Sequence, residues 1–294
     1  MADIQLRYGH SAALVDVKGA QIVSFKGADG REVLWTGEPD VWASHAPVLF
    51  PVCGSLKGDT ITVDGKPYPM TKHGFVRNAD FTIAKQGDDF VELILTPTDA
   101  MRSMYPFDFI FHVTYTLVED GYTTTFLVEN KSDRVMPFCV GGHPGFNVPM
   151  EDGAAFSDYQ VEFDEIEDGL LALAPTGKLI EGYGHLPGFQ NARILPLNHA
   201  LFERDALIFD GLKSRSVRLV HRVSGKGLHF SFPKMEVLAI WTKPVDKATY
   251  VCLEPWHGLP GKETESGRFE DKAYVTMLDP GACYKTWFTT TLIR

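Results

Sequence analysis

Two residues, His143 and Glu254, lie in sequence contexts that favour acid–base chemistry. Glu254 follows the alternating apolar run Tyr250-Val-Cys-Leu, and the next residue, Pro255, holds its backbone extended. His143 follows two glycines and precedes a proline, so other groups can approach its backbone closely. Imidazole titrates near neutral pH, and a partly buried carboxylate has a raised pKa. The two side chains therefore suit a general acid and a general base.

A second polar segment supplies hydrogen-bond donors. It reads Lys-His-Gly-Phe-Val-Arg from residue 72 to Arg77, and it places His73 beside a flexible glycine. The aromatic side chains of these segments, Phe75, Phe146 and Trp256, predict an apolar floor on which the C–H face of a sugar would rest.

Other mechanisms fit the sequence less well. It contains no Gly-x-Ser-x-Gly elbow, no Walker loop and no dinucleotide-binding Gly-x-Gly-x-x-Gly. A metal site built from His73, His143 and His257 lacks the His-Glu-x-x-His spacing, so we predict no metal. A glycoside hydrolase would pair Glu254 with a second carboxylate, for which Asp205 is the candidate, and that alternative stays open.

Composition limits the partners. The formal charge of −10 and the pI near 5.5 disfavour nucleic acid, which requires a basic face. An anionic small ligand is not excluded, because one Arg or Lys can hold it. No apolar run is long enough for a membrane span, and the first residues contain no secretory h-region. The four cysteines are scattered, which predicts reduced thiols and a cytoplasmic protein.

The pattern of short apolar runs and turns predicts an all-β protein. Residues 81–95 and 109–129 each read as two strands around a polar, glycine-containing turn. Further strands are predicted at 217–220, 228–232, 237–241, 250–254 and 282–293, whereas the acidic residues between 164 and 168 predict a solvated loop within an irregular stretch, 150–195. We expect a β-sandwich or barrel, and a single domain over residues 1–294.

Four segments in this order resemble the aldose 1-epimerase (galactose mutarotase) superfamily. They are Ala46-Pro-Val-Leu-Phe-Pro, His73-Gly-Phe-Val-Arg, Gly-Gly-His143-Pro-Gly-Phe-Asn and Leu-Glu254-Pro-Trp. The resemblance spans nearly the whole chain and is strongest to the LacX-like branch and its neighbours, the hexose-6-phosphate 1-epimerases. It implies a large antiparallel β-sandwich that uses no cofactor and interconverts the α and β anomers of an aldose.

The resemblance also implies roles for individual residues. His143 would be the general acid that protonates the ring oxygen, and Glu254 the general base that takes the proton of the O1 hydroxyl. His73, Arg77 and Asp205 would bind the substrate. Trp256 is added to these predicted binding residues as part of the apolar floor described above, and not from the resemblance.

One position departs from the family pattern. Ser55 stands where relatives usually carry an arginine, and serine cannot replace the permanently charged fork of that side chain. Lys57 is a candidate to reach in from the same segment. The loss of charge disfavours a phosphosugar, so we predict a free hexose as substrate. Hexose 6-phosphate epimerisation and non-catalytic sugar binding remain alternatives, in a monomer or a homodimer.

Overall fold

The computed structural model describes residues 4–294, and almost all of its regular structure is β. The strands, in chain order, are β1 Ile4–Tyr8, β2 Ser11–Asp16, β3 Gln21–Lys26, β4 Val48–Leu49, β5 Thr60–Val63, β6 Lys66–Pro69, β7 Thr82–Gln86, β8 Phe90–Leu95, β9 Phe109–Val118, β10 Gly121–Asn130, β11 Met136–Phe138, β12 Val140–Gly142, β13 Gly145–Asn147, β14 Tyr159–Glu167, β15 Leu170–Leu173, β16 Gly182–His185, β17 Ala192–Pro196, β18 Leu207–Phe209, β19 Ser216–His221, β20 Gly227–Ser231, β21 Val237–Trp241, β22 Tyr250–His257, β23 Thr276–Leu278 and β24 Cys283–Ile293.

Helical structure is confined to short turns. The α-helix within residues 4–294 is the single turn α1, Asp99–Arg102. The 3₁₀ turns are Lys57–Asp59, Val76–Asn78, Phe156–Asp158, Pro175–Gly177, His199–Phe202 and Phe269–Asp271. In this part of the chain no helix has the length and apolar character needed to cross a membrane.

Two large antiparallel sheets form the body of the protein. The nine-stranded sheet has the order β17-β14-β19-β20-β24-β10-β9-β8-β7, and the eight-stranded sheet has the order β16-β15-β18-β21-β22-β12-β4 with β13 also paired to β22. Phenylalanine pairs join the two sheets: Phe163 on β14 lies 5.2 Å from Phe209 on β18, and Phe146 on β13 lies 5.8 Å from Phe230 on β20, between ring centroids. The predicted antiparallel β-sandwich is confirmed.

The hairpins read from the sequence follow from strict alternation. Along β9 every second residue is buried, which places one face on the core and leaves the other partly exposed. Asp120, at a φ of +56°, turns the chain into β10, so that Val118 pairs with Gly121 and Phe109 with Asn130. The hairpin predicted within 81–95 forms as β7 and β8. The five later strands form as β19, β20, β21, β22 and β24.

The prediction for residues 150–195 was wrong in two respects. This stretch holds the strands β14 to β17, and although Asp164, Glu165 and Asp168 are exposed as predicted, Glu167 is not. Glu167 is buried and accepts the backbone N–H groups of Lys213 at 3.2 Å and Ser214 at 2.7 Å. A carboxylate with two such donors offsets much of its desolvation cost, which charge content alone does not reveal.

Strand β22 continues beyond the boundary predicted at Glu254. It runs to His257 and includes Pro255, which pairs with Leu238 of β21. On its other edge β22 pairs with β13 at residues 250–252 and with β12 at 256–257, and between them Leu253 donates its N–H to the Pro144 carbonyl. The backbone nitrogens of residues 253 and 255 point to the same edge of β22, because residues two apart on a strand share an edge. At Pro255 this edge is the gap between β12 and β13, so the missing N–H interrupts no strand-to-strand hydrogen bond.

Candidate active site

All six site residues predicted from the sequence line one cavity. Its volume is about 220 Å³, and it opens over the face of β22 that carries Glu254. The six are His73, Arg77, His143, Asp205, Glu254 and Trp256. Residues from loops and from β22 thus converge on one concave site.

His143 and Glu254 are in direct contact at the bottom of this cavity. Nε2 of His143 lies 3.2 Å from Oε2 of Glu254, and the side chains are 13% and 2% exposed. Nδ1 of His143 is buried without a hydrogen-bond partner within residues 4–294.

The break between β12 and β13 places His143 over Glu254. His143 and Pro144 bridge these two short strands, and the His143 N–H is held by the Pro47 carbonyl at 2.9 Å. The two preceding glycines permit close packing: a Cβ on Gly141 would lie 2.7 Å from Cδ1 of Trp256, and one on Gly142 would lie 2.7 Å from the Phe288 ring. Any larger residue would push the histidine segment off β22.

Burial shifts the pKa values of the pair in opposite directions. Desolvation lowers the pKa of His143 to about 3, and the positive Lys72 and Arg77 act in the same direction. Desolvation raises the pKa of Glu254 well above its usual value, with Lys72 opposing and Asp205 reinforcing the shift. Both shifts disfavour charge in the dry site, so the resting pair is neutral, with a protonated carboxyl on Glu254 and a neutral imidazole on His143.

His73 is fixed as a neutral hydrogen-bond donor. The Gly54 N–H donates to its Nδ1 at 3.1 Å, so the ring proton is on Nε2. Burial, followed by the neighbouring His143 and Lys72, holds the pKa of His73 well below its usual value. The backbone of His73 has a φ of +66°, a left-handed conformation that costs a non-glycine residue about 1–3 kcal/mol.

Asp205 also lines the cavity, and it has unusual backbone geometry. Its φ is +92°, and its Oδ1 accepts the N–H of Ala206 at 2.8 Å. A Cβ built on Gly177 would lie 2.9 Å from Asp205 Oδ2 and 2.3 Å from Lys72 Nζ. The Pro175–Gly177 turn therefore brings backbone, carboxylate and ammonium together at one edge of the cavity.

Tryptophans, rather than the predicted phenylalanines, form the apolar surface. Trp256 lines the cavity as predicted, but Phe75 and Phe146 are buried in the core. Trp42 stacks on the His143 ring at 5.1 Å and 29°, and Trp241 meets the same ring edge-on at 5.9 Å. Aromatic faces of this kind suit the C–H face of a sugar.

Sequence reasoning missed the two additional tryptophans for different reasons. Trp241 ends a predicted strand and pairs with Cys252 on the next one, so a β21–β22 hairpin drawn from the sequence would have found it. Trp42 lies in the loop after β3. Nε1–H of Trp35, in the same loop, donates to the backbone carbonyl of Trp42 at 2.7 Å. No local signal connects that loop to His143.

Three basic residues surround the cavity without ion pairs. Lys72, Arg77 and Lys178 all line it, and within residues 4–294 none forms a salt bridge or a side-chain hydrogen bond with protein. The acidic residues on the lining are Asp205 and Glu254. Lys178 was not among the site residues predicted from the sequence.

Ser55 forms a structural hydrogen bond beside the site. Ser55 Oγ donates to the Gly177 carbonyl at 2.7 Å and so ties the Pro175–Gly177 turn to the cavity wall. Lys57 does not reach in: its Nζ donates to the Glu263 carbonyl on the exposed surface. Positive charge at this site therefore comes from other loops.

The three histidines considered as metal ligands do not form one group. His73 lies edge-on to His143, with ring centroids 5.8 Å apart. His257 faces away from the cavity and pairs through Nδ1 with Glu236 at 2.6 Å.

Comparison with known proteins identifies similar chains over the full length. A family model described as aldose 1-epimerase matches residues 3–273. The plasmid-encoded protein LacX of Lactococcus lactis subsp. lactis is 34% identical over 298 residues, covering 99% of each chain.

Solved structures agree in fold. A galactose mutarotase related enzyme from Lactobacillus acidophilus superposes with a TM-score of 0.90 at 31% identity, covering 99% of this chain and 97% of that one. A galactose mutarotase-like protein from Lactobacillus casei gives a TM-score of 0.91 at 28% identity, covering 99% of both chains.

Proposed function

The chain belongs to the aldose 1-epimerase family, and on that basis we propose that it interconverts the α and β anomers of a free hexose. The observation that supports this most directly is the buried contact of His143 Nε2 with Glu254 Oε2 at 3.2 Å. In an aldopyranose, the O1 hydroxyl and the ring oxygen are bonded to the same carbon. One acid and one base in contact can therefore serve both atoms.

The proposed reaction needs one mobile proton on the pair. The proton first passes from the carboxyl of Glu254 to His143 when the sugar is bound. Glu254, now a carboxylate, then takes the proton of the O1 hydroxyl while His143, now an imidazolium, gives its proton to the ring oxygen. The C1–O5 bond breaks, C1 becomes an aldehyde carbon, and rotation about C1–C2 presents its other face. Ring closure reverses both transfers, so the pair ends with the protons it began with.

The surrounding residues position the sugar. His73 presents Nε2–H as a donor, and Asp205 presents a carboxylate acceptor for hydroxyl groups. Trp42, Trp241 and Trp256 supply apolar faces and limit access of water to the catalytic pair. Exclusion of water strengthens the electrostatic interactions inside the site.

Polarimetry with freshly dissolved α-D-glucose and α-D-galactose tests the proposal. Because mutarotation also occurs spontaneously, the measured quantity is the rate above the protein-free blank. Acceleration by the wild type and not by Glu254→Gln supports acid–base catalysis. If no hexose or hexose phosphate is accelerated while sugar still binds, the catalytic proposal is overturned in favour of the sugar-binding alternative.

Three basic side chains that have no ion pair with any residue from 4 to 294 favour a hexose 6-phosphate as the second candidate. Lys72, Arg77 and Lys178 line the cavity. Of the two carboxyl groups there, Glu254 is kept neutral by burial, so the lining carries a net positive charge. Such a surface suits a phosphate group. Exchange between the anomers of glucose 6-phosphate, followed by NMR, decides between the two substrates. A kcat/KM higher for the phosphate than for free glucose, and falling with added salt, would select the second candidate.

A further inference from the structure

A buried thiol stands directly beside the catalytic pair. Cys252 precedes Glu254 by two residues on β22, so both side chains lie on the same face of the strand. His143, Cys252 and Glu254 each offer one donor atom, and these atoms all lie within 4.8 Å of one another. Among residues 4–294 this is the only trio of His, Cys and acidic side chains placed in this way. The acid–base reaction proposed above uses two of the three.

We propose that His143, Cys252 and Glu254 form a reversible inhibitory site for Zn²⁺, which occupies the place of the reacting atoms of the sugar. The binding part of this inference stands on the geometry of the trio. The inhibitory part rests on the proposed function, because Zn²⁺ would occupy both the acid and the base.

The three ligand types match the preferences of zinc. Zn²⁺ binds thiolate, imidazole and carboxylate in tetrahedral geometry, and sites with three protein ligands keep the fourth position open. Here the open position faces the cavity, which both His143 and Glu254 line. The negative charges of a Cys252 thiolate and a Glu254 carboxylate offset the charge of Zn²⁺, and their protons pass to the buffer. A neutral cluster avoids the cost of placing net charge in a dry site.

The spacing requires only a small adjustment. Zinc–ligand bonds of 2.0–2.3 Å place tetrahedral donor atoms roughly 3.3–3.7 Å apart. His143 Nε2 and Glu254 Oε2, at 3.2 Å, are already near that separation. Cys252 Sγ lies within 4.8 Å of a ring nitrogen of His143 and a carboxylate oxygen of Glu254. A shift of its side chain by about 1 Å closes the site.

Two features make this a reversible site rather than a resident metal centre. A histidine that binds a permanent zinc ion usually donates the N–H of its other ring nitrogen to a carboxylate or a carbonyl. Nδ1 of His143, in contrast, has no hydrogen-bond partner within residues 4–294. Lys72, Arg77 and Lys178 line the same cavity, and their positive charges oppose a bound cation. A chelator should therefore remove the metal readily.

Direct binding of the metal is the first test. Every protein carries Cys283→Ser, because Cys283 is the exposed thiol and offers an unrelated ligand. Calorimetric titration with ZnCl₂ is compared for this parent, for Cys252→Ala and for the matched buried control Cys139→Ala. We expect one Zn²⁺ per chain in the parent and the control, and at least about 100-fold weaker binding in Cys252→Ala. Equal affinity in Cys252→Ala, or no binding to the parent, overturns the proposal.

Cobalt provides a readout independent of activity. Co²⁺ bound to the parent should show a sulfur-to-metal charge-transfer band that the Cys252 variant lacks. A band that persists without Cys252, or its absence from the parent, rejects thiolate coordination. Cys252→Ser serves if the alanine variant is unstable, with circular dichroism to check its fold.

The inhibitory part is tested on mutarotation. Zn²⁺ should abolish acceleration by the parent, EDTA should restore it, and Cys252→Ala should retain turnover with at least tenfold lower sensitivity to zinc. If the parent has no turnover in EDTA, the proposed function fails while the calorimetric result still decides binding. If turnover is present but zinc leaves it unchanged, the inhibitory site alone is rejected.

Discussion

His143 Nε2 lies 3.2 Å from Glu254 Oε2 at the one stretch of β22 where the neighbouring strand is interrupted. If β12 and β13 were one continuous strand along β22, the backbone of His143 would take part in the hydrogen bonds between the strands. The break frees the histidine to stand over the sheet, and Glu254, in mid-strand, cannot move away from it. A rigid strand and a short irregular bridge therefore hold the acid and the base in contact.

Glu254→Gln is expected to reduce acceleration of mutarotation by about 10²–10⁴-fold, because an amide cannot take the O1 proton. Sugar binding, measured by calorimetry, should change little, because the amide keeps the shape of the side chain. Glu236→Gln is the matched control: Glu236 also contacts a histidine, His257, at 2.6 Å, but it lies outside the cavity. Equal losses in the two variants would contradict the assignment of Glu254.

Glu254→Gln should also stabilise the fold, increasingly so at higher pH. Burial raises the pKa of Glu254 above its usual 4.5, so above pH 4.5 the folded state holds a proton that the unfolded chain has released. The free energy of unfolding of the wild type therefore loses up to about 1.4 kcal/mol per pH unit from this group until the raised pKa is reached. Urea unfolding of both proteins at pH 5, 6 and 7 measures the difference. A difference that does not grow with pH would show that the pKa is not raised.

Trp42→Ala is expected to raise the pKa of His143 from about 3 towards 6.5, because loss of the stacked ring admits water that stabilises the imidazolium. Trp42→Phe keeps an aromatic face and should keep the pKa low. Titration of the His143 ring by NMR follows both variants. An unchanged pKa in Trp42→Ala would mean that other groups keep the ring dry.

Gly177→Ala should raise KM for the sugar, because the new Cβ would lie 2.3 Å from Lys72 Nζ and 2.9 Å from Asp205 Oδ2 and would displace both. Gly188→Ala controls for backbone strain, because the φ of Gly188, +77°, is similar to the +63° of Gly177. Among the described residues, 4–294, no neighbouring atom lies within 4 Å of a Cβ built on Gly188. Both variants should lose similar stability in thermal unfolding, about 1 kcal/mol. A normal KM in Gly177→Ala would remove this edge of the cavity from substrate binding.

Lys178→Met and Arg77→Met distinguish the two substrate candidates. If the substrate is a hexose 6-phosphate, each loss of a cation should lower kcat/KM for the phosphate by about tenfold or more and leave free glucose nearly unaffected. Lys57→Met is the matched control, since Lys57 binds the Glu263 carbonyl away from the cavity. Equal effects of all three substitutions would argue against a phosphate site formed by these side chains.

Part of this protein could be predicted from local patterns. Strict alternation predicts β9, β10 and β8 because one face of each strand packs on the core. The acid–base residues could be found because His143 and Glu254 stand in unusual proline and glycine contexts and match a family motif. The extent of the domain and the oligomeric state remain predictions.

Long-range packing decided the rest. Trp42 and Lys178 have no local signal of a site, because only sheet pairing and loop packing bring them near residues far away in the chain. Glu167 shows the same limit: its acidic neighbours predict a solvated loop, yet two backbone donors hold it in the interior. The sequence by itself determined the β architecture and the two reactive groups, since both depend on neighbouring residues. Only the tertiary structure decided their contact, their burial and the cations around them, because these depend on which distant segments exclude water together.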